Sequence, residues 1–217
     1  MKFALPTIKT LGLIVAAAAA STGAPAANLI TNGDFANPAQ GGGWNLYSSI
    51  PGWTSGTRDT IEVGGNGVYG LSCYAATCQN LEVNANTFGI VSQTVNGLTP
   101  GHAYTLSYAY GGRPGGGVQK LNVSFGGQTL VQDTAGYGVW TLNTFHVVAT
   151  AATETLTFAS VNTAGLGGLP SYGNEITGVS LVGNAPEPAA WAMMFTGFAL
   201  AGGALRRGRT VARAAMV

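Results

Sequence analysis

An all-β fold, built as one antiparallel β-sandwich between two short targeting ends, is what the 217 residues predict. Short runs alternating apolar and polar residues recur about every 8 to 15 residues, with Asn-Gly, Pro-Gly and Gly-Gly turns between them, the pattern of a hairpin-linked sandwich. No stretch between the ends sustains a 3.6-residue apolar period. The same region is rich in Gly, Asn, Thr and Ser and nearly empty of Glu, Lys and Arg, which suits strands and turns and disfavours helix. It contains no repeat of solenoid or propeller length.

The chain opens with Lys2 and Lys9, an apolar run from Leu11 to Ala20, and the small residues Ala24-Pro25-Ala26. That order predicts a signal helix over 1–27, cut near Ala26 or Ala27. The sandwich is expected over 28–183, long enough for a single core. Leu29-Ile30 predicts a first short strand before the Asn32-Gly33 turn, and Trp44, Tyr47 and Trp53 follow among turn residues. Ile61–Val63 and Leu81–Val83 read as short strands, each with a Glu in the middle. Stronger alternation places Val91, Gln93 and Val95 on one face, then Tyr104, Leu106, Tyr108 and Tyr110 on another strand. Leu121, Val123 and Phe125 mark the next, and Gly126-Gly127 turns it into 129–132. Strands through Phe145–Ala149, Leu156–Phe158 and Ile176–Val182 complete the pattern. Trp53, Trp140, Tyr104 and Tyr108 are assigned to the core.

The tail, 184–217, has three ordered parts. Pro186-Glu187-Pro188 precedes an uncharged apolar run of 17 residues, 189–205, and a basic cluster over 206–213 that includes Arg206, Arg207 and Arg209. As a helix the run spans about 26 Å, near the roughly 30 Å of a bilayer core, so a C-terminal transmembrane helix is expected. Its arginines would stay on the cytoplasmic side, which places the sandwich outside. This order resembles the PEP-CTERM sorting signal of Gram-negative bacteria. The resemblance implies an exosortase-type membrane protease as partner, a transient membrane anchor, and a cell-surface or extracellular-matrix destination linked with exopolysaccharide.

Once the targeting ends are set aside, three bases (Arg58, Arg113, Lys120) face seven acids, a net −4. An acidic domain with scattered bases excludes nucleic acid as a partner. The two cysteines, Cys73 and Cys78, have four residues between them, and in an exported chain a local disulfide is the favoured reading over a metal pair. No Gly-x-Ser-x-Gly elbow accompanies the two histidines, His102 and His146. Glu62 and Glu82 are the one carboxylate pair that could serve glycoside hydrolysis; read from alternation alone, both face solvent. Sugar stacking would use exposed rings. Trp44, Tyr47, Tyr69, Tyr74 and Tyr137, in Gly-rich surroundings, are the candidate glycan contacts, with capping of the sandwich ends as the alternative.

The runs "NLITNGDF", "IPGW", "GIVSQTVNGLTPGHAYTLSY" and "ITGVSLV", with Trp140 and Phe145, resemble the galactose-binding-like jelly rolls used as carbohydrate-binding modules. The resemblance implies a jelly-roll fold and a structural Ca²⁺ held by an acid after the first strand and another in the last. Here Ala36 follows "NGDF" and Thr177-Gly178 precede Val179, so Asp34 and Glu175 are the residues left to offer for calcium. The expected function is that of an exported, non-enzymatic surface or matrix protein that binds polysaccharide. A glycan-active hydrolase or lyase using Glu62 and Glu82, or a purely structural or adhesive protein, are the alternatives.

Overall fold

The computed structural model describes residues 26–56, 60–74, 78–184 and 195–203. The signal run up to 25, the Pro-Glu-Pro motif and the Arg cluster lie outside them. Of the apolar run 189–205, residues 195–203 are described and are helical. Among the described residues no helix is long and apolar enough to cross a membrane, so the expected transmembrane helix is not borne out there.

Among the described residues, twelve strands make two six-stranded antiparallel sheets. Sheet A contains β1 (Trp44–Tyr47), β4 (Ile61–Gly64), β5 (Asn80–Glu82), β12 (Glu175–Gly183), β7 (Ala103–Gly111) and β10 (Trp140–Val148), in that spatial order. Sheet B contains β2 (Ser49–Ile50), β3 (Trp53–Ser55), β6 (Ile90–Asn96), β11 (Thr153–Ser160), β8 (Lys120–Phe125) and β9 (Gln128–Thr134).

Alternation decides which side chains meet between the sheets. Ile61, Val63, Leu81, Leu106, Tyr108 and Leu181 from sheet A, and Trp53, Val91, Leu121, Leu156 and Phe158 from sheet B, are all buried in one cluster. At its centre Tyr108 meets Phe158 edge-on with ring centroids 5.1 Å apart, and Trp53 lies 6.0 Å from Phe158 on the other side. Edge-to-face rings of this kind add to the burial of apolar area.

The beginning of the domain departs from expectation. Leu29-Ile30 forms no strand; Asn28 makes an isolated bridge to Val182, and the Leu29 amide donates to the Leu181 carbonyl. The segment is held instead by Gln93, whose carboxamide accepts from the Thr31 amide at 2.7 Å and donates to the Thr31 carbonyl at 2.9 Å. Trp53 Nε1 donates to the Asn32 carbonyl, and the Phe35 ring closes on Trp53 at 5.4 Å. Conversely, 44–55 contains three strands where turn residues were expected. Their brevity hides the period-2 signal.

Phe158 touches both layers, so Phe158→Ala is expected to cost about 3 to 5 kcal/mol through lost transfer energy and a residual cavity. A denaturant titration that showed an unchanged midpoint would contradict this placement.

Candidate functional site

The candidate site is built on the outer face of sheet A. Register places six residues in one row across all its strands: Leu46 opposite Glu62, Glu62 opposite Glu82, Glu82 opposite Glu175, Glu175 opposite Gly111, and Gly111 opposite Trp140. Directly opposed residues share a face with Cβ atoms about 5 Å apart. Three carboxyl groups therefore stand side by side in the middle of the sheet.

They are not open to water. Glu62, Glu82 and Glu175 are all buried, which corrects the expectation that the first two face solvent. Alternation puts a residue opposite the core; here a further layer covers that side. Tyr69 Oη donates to Glu62 at 2.6 Å. Arg113 Nη1 donates to Glu82 at 2.8 Å, and the Gly173 amide donates to the other Glu82 oxygen. The Arg113 guanidinium lies 4.6 Å from the Tyr69 ring centroid and 3.6 Å from that of Tyr172, stacked between them. Gln119 pins this loop: its Oε1 accepts from the Arg113 and Asn174 amides, each at 3.0 Å, while its Nε2 donates to the Arg113 carbonyl.

The charges do not balance. One cation faces three acids, and neither oxygen of Glu175 accepts a hydrogen bond from any donor among the described residues. Burial, then repulsion by Glu82, holds the Glu175 carboxyl well above the usual carboxylate range. A proton on Glu175 also gives it a donor to share with Glu82. Burial pushes Glu82 up to about 7, against the opposing pull of the Gly173 amide and Arg113. Glu62 is raised by burial too, offset in part by the bond from Tyr69.

A strap formed by residues 65–74 runs over this face, seated on glycines. A Cβ on Gly64 would stand 2.1 Å from Tyr69 Cε2, one on Gly111 would stand 3.0 Å from Leu71 Cδ2, and one on Gly178 would stand 3.1 Å from Tyr74 Cε1. Three strands thus leave out side chains where the strap sets its own down. Ser72 offers its carbonyl to Trp140 Nε1 at 2.7 Å. The strap ends at the Cys73–Cys78 disulfide, as expected from the sequence.

Where the strap ends, two aromatic rings come together. Tyr74 and Trp140 have centroids 6.1 Å apart, tilted by 58°. Tyr74 is 41% exposed and Trp140 half-buried, and Leu142, on the same face of β10, is 57% exposed. Such a ring pair beside apolar surface can take the apolar face of a pyranose. Trp140 was assigned to the core; the register places it on the outer face instead. Of the expected glycan contacts, only Tyr74 joins this platform. Tyr69 is buried in the carboxylate network, and Tyr47 packs toward the core with its hydroxyl bonded by Gln40. Trp44 is exposed on β1, at the opposite edge of the sheet, and exposed Tyr137 donates to the Gly117 carbonyl.

Glu62 and Glu82 do lie next to each other, but a glycosidase needs its two carboxyls either side of a bound sugar. Beneath Tyr69 and Arg113 this pair has no room for one. Asp34 and Glu175 are not brought into one calcium site. Asp34 lines a pocket of about 370 Å³ with Asn32, Gly178 and Ser180, while Glu175 is enclosed beside Glu82. Among the described residues no group of three or more His, Cys, Asp and Glu is arranged to hold a metal ion.

The folded state binds protons at these raised carboxyls that the unfolded chain releases at about 4.5. Stability is therefore full below that range and falls as pH rises through about 7. Each proton held contributes a slope of up to about 1.4 kcal/mol per pH unit. Glu175→Gln is expected to flatten that slope in denaturation curves taken between pH 5 and 8; an unchanged slope would show that Glu175 holds no proton in the fold.

No family model matches the chain. A stretch of 150 residues, 65% of the chain, is 27% identical to Halomucin of Haloquadratum walsbyi, of whose length the chain spans 2%. Among solved structures, TmCBM61 in complex with β-1,4-galactotriose shares 16% identity, with a TM-score of 0.47, over 73% of this chain and 99% of that one. The CBM22-1 xylan-binding domain from Paenibacillus barcinonensis shares 11%, with a TM-score of 0.43, over 68% and 100%. A family 35 carbohydrate-binding module from Clostridium thermocellum shares 9%, with a TM-score of 0.38, over 64% and 96%.

Proposed function

We propose that this chain is an exported, non-enzymatic surface or matrix protein whose sandwich binds polysaccharide at the Tyr74–Trp140 platform. The observation that carries the reading is the tilted ring pair itself, partly open to solvent and anchored from below. Trp140 is fixed by its bond to the Ser72 carbonyl and Tyr74 sits on Gly178 next to a disulfide, so little freedom is lost when a ligand arrives. The surroundings favour an uncharged ligand. The three glutamates of the row are buried under the strap, and β10 carries no Asp, Glu, Lys or Arg.

The tail completes the proposal. Pro186-Glu187-Pro188, the apolar run 189–205 and the arginines at 206, 207 and 209 act as an address for an exosortase-type protease, which releases or transfers the sandwich at the cell surface. What supports this is their order in the sequence.

Titration calorimetry against a panel of neutral polysaccharides tests the first half. Tyr74→Ala and Trp140→Ala are each expected to weaken binding about 30-fold, the loss of a well-packed aromatic anchor. Binding that survives both substitutions moves the site elsewhere, and no binding to any member of the panel removes the sugar reading. For the tail, alanines at 186, 187 and 188 are expected to leave the tail in place, read as an increased intact mass of the exported protein; an unchanged mass counts against sorting.

A further inference from the structure

The two sheets present four edge strands, and three of them carry the usual protection against pairing with another chain. β1 has four residues and β2 two, both too short to template a ladder. β9 has seven but includes Asp133, and its pairing with β8 shifts register after Val123. β10 has none of these devices. It is nine residues long, pairs with β7 over its whole length without a shift, and contains no Pro, Gly, Asp, Glu, Lys or Arg. Among the described residues nothing pairs with its outer side.

We infer that β10 is a homotypic interface, through which two copies of this chain pair antiparallel and join their A sheets into one. The strand's own pattern argues for a second copy as the occupant. A two-fold axis through Thr144 sets Thr144 against its counterpart, Leu142 against the partner's His146, and Trp140 against the partner's Val148. Antiparallel partners directly opposite share a face, so this register keeps both outer faces on the same side. Leu142 and Val148, each 57% exposed, gain cross-strand neighbours. Because β10 carries no Asp, Glu, Lys or Arg, self-pairing places no like-charged Asp, Glu, Lys or Arg side chains against each other, the usual obstacle to a strand binding itself. The pairing also satisfies edge N–H and C=O groups that otherwise depend on water.

Sedimentation velocity on the purified full-length protein tests this directly, with dimer expected at micromolar concentration. Thr144→Lys places two ammonium groups face to face on the axis, at an exposed position that leaves the core untouched, and is expected to give a folded monomer. Independently, Thr144→Cys is expected to crosslink two chains on mild oxidation. Leu142→Cys is not, because its sulfur lies four residues along the strand from its counterpart. A wild-type monomer at high concentration overturns the inference. So does a Thr144→Lys dimer, or a crosslink that forms at 142 in preference to 144. The test does not depend on sugar binding, which Tyr74→Ala probes separately.

Discussion

Arg113 donates to Glu82 with one nitrogen while its plane lies between the rings of Tyr69 and Tyr172, and these three contacts tie together three separate loops over sheet A. Without that guanidinium, three carboxyl groups would sit on one sheet face under apolar cover with no opposing charge, at a cost of several kcal/mol per ion. With it, one acid is matched, and burial favours the neutral form of the others. The loops that cover this face meet at that side chain. The arrangement also explains why a carboxylate pair suited on paper to hydrolysis is bound up in structure instead.

Much of the sandwich was legible because its long strands alternate cleanly. In β6, β7, β8 and β11 burial alternates along the strand and most apolar positions end up inside, although Ile90 stays exposed while Gln93 and Glu154 are buried. The failures share a cause. Alternation reports that Glu62, Glu82 and Trp140 point away from the core, or leaves an aromatic to be assigned inward by size, but it has no access to a second layer built by a loop. The strap itself left a trace: Tyr69, Leu71 and Tyr74 place three large side chains within a Gly-rich loop, more apolar surface than a solvated loop requires. What could not be read locally is that Gly64, Gly111 and Gly178, far apart in sequence, are the seats for those side chains. Glu175 was seen only as a remote calcium candidate for the same reason, since strand order brings it beside Glu82.

The disulfide gains meaning from its position more than from chain entropy, which is small for so short a loop. It closes the strap at the point where support from the sheet gives way to solvent, next to Tyr74. A loop has been turned into a layer: glycines remove the collisions, the Ser72 carbonyl fixes the indole, and the covalent link keeps the last ring from swinging away. Glycine in a strand ordinarily weakens it. Here that weakness is offset by the side chains that descend onto it.

The ion pair between Arg113 and Glu82 is the single salt bridge among the described residues; it lies against aromatic rings, with Glu82 fully buried and Arg113 20% exposed. Mobile ions act on charges they can surround, and a buried pair is screened far less than exposed ones. A protein whose surface is wetted by hydroxyls, amides and backbone therefore offers brine or fresh water almost nothing to grip. Its fold and its uncharged faces should behave alike as salinity changes, a tolerance that follows from having so few charges to lose.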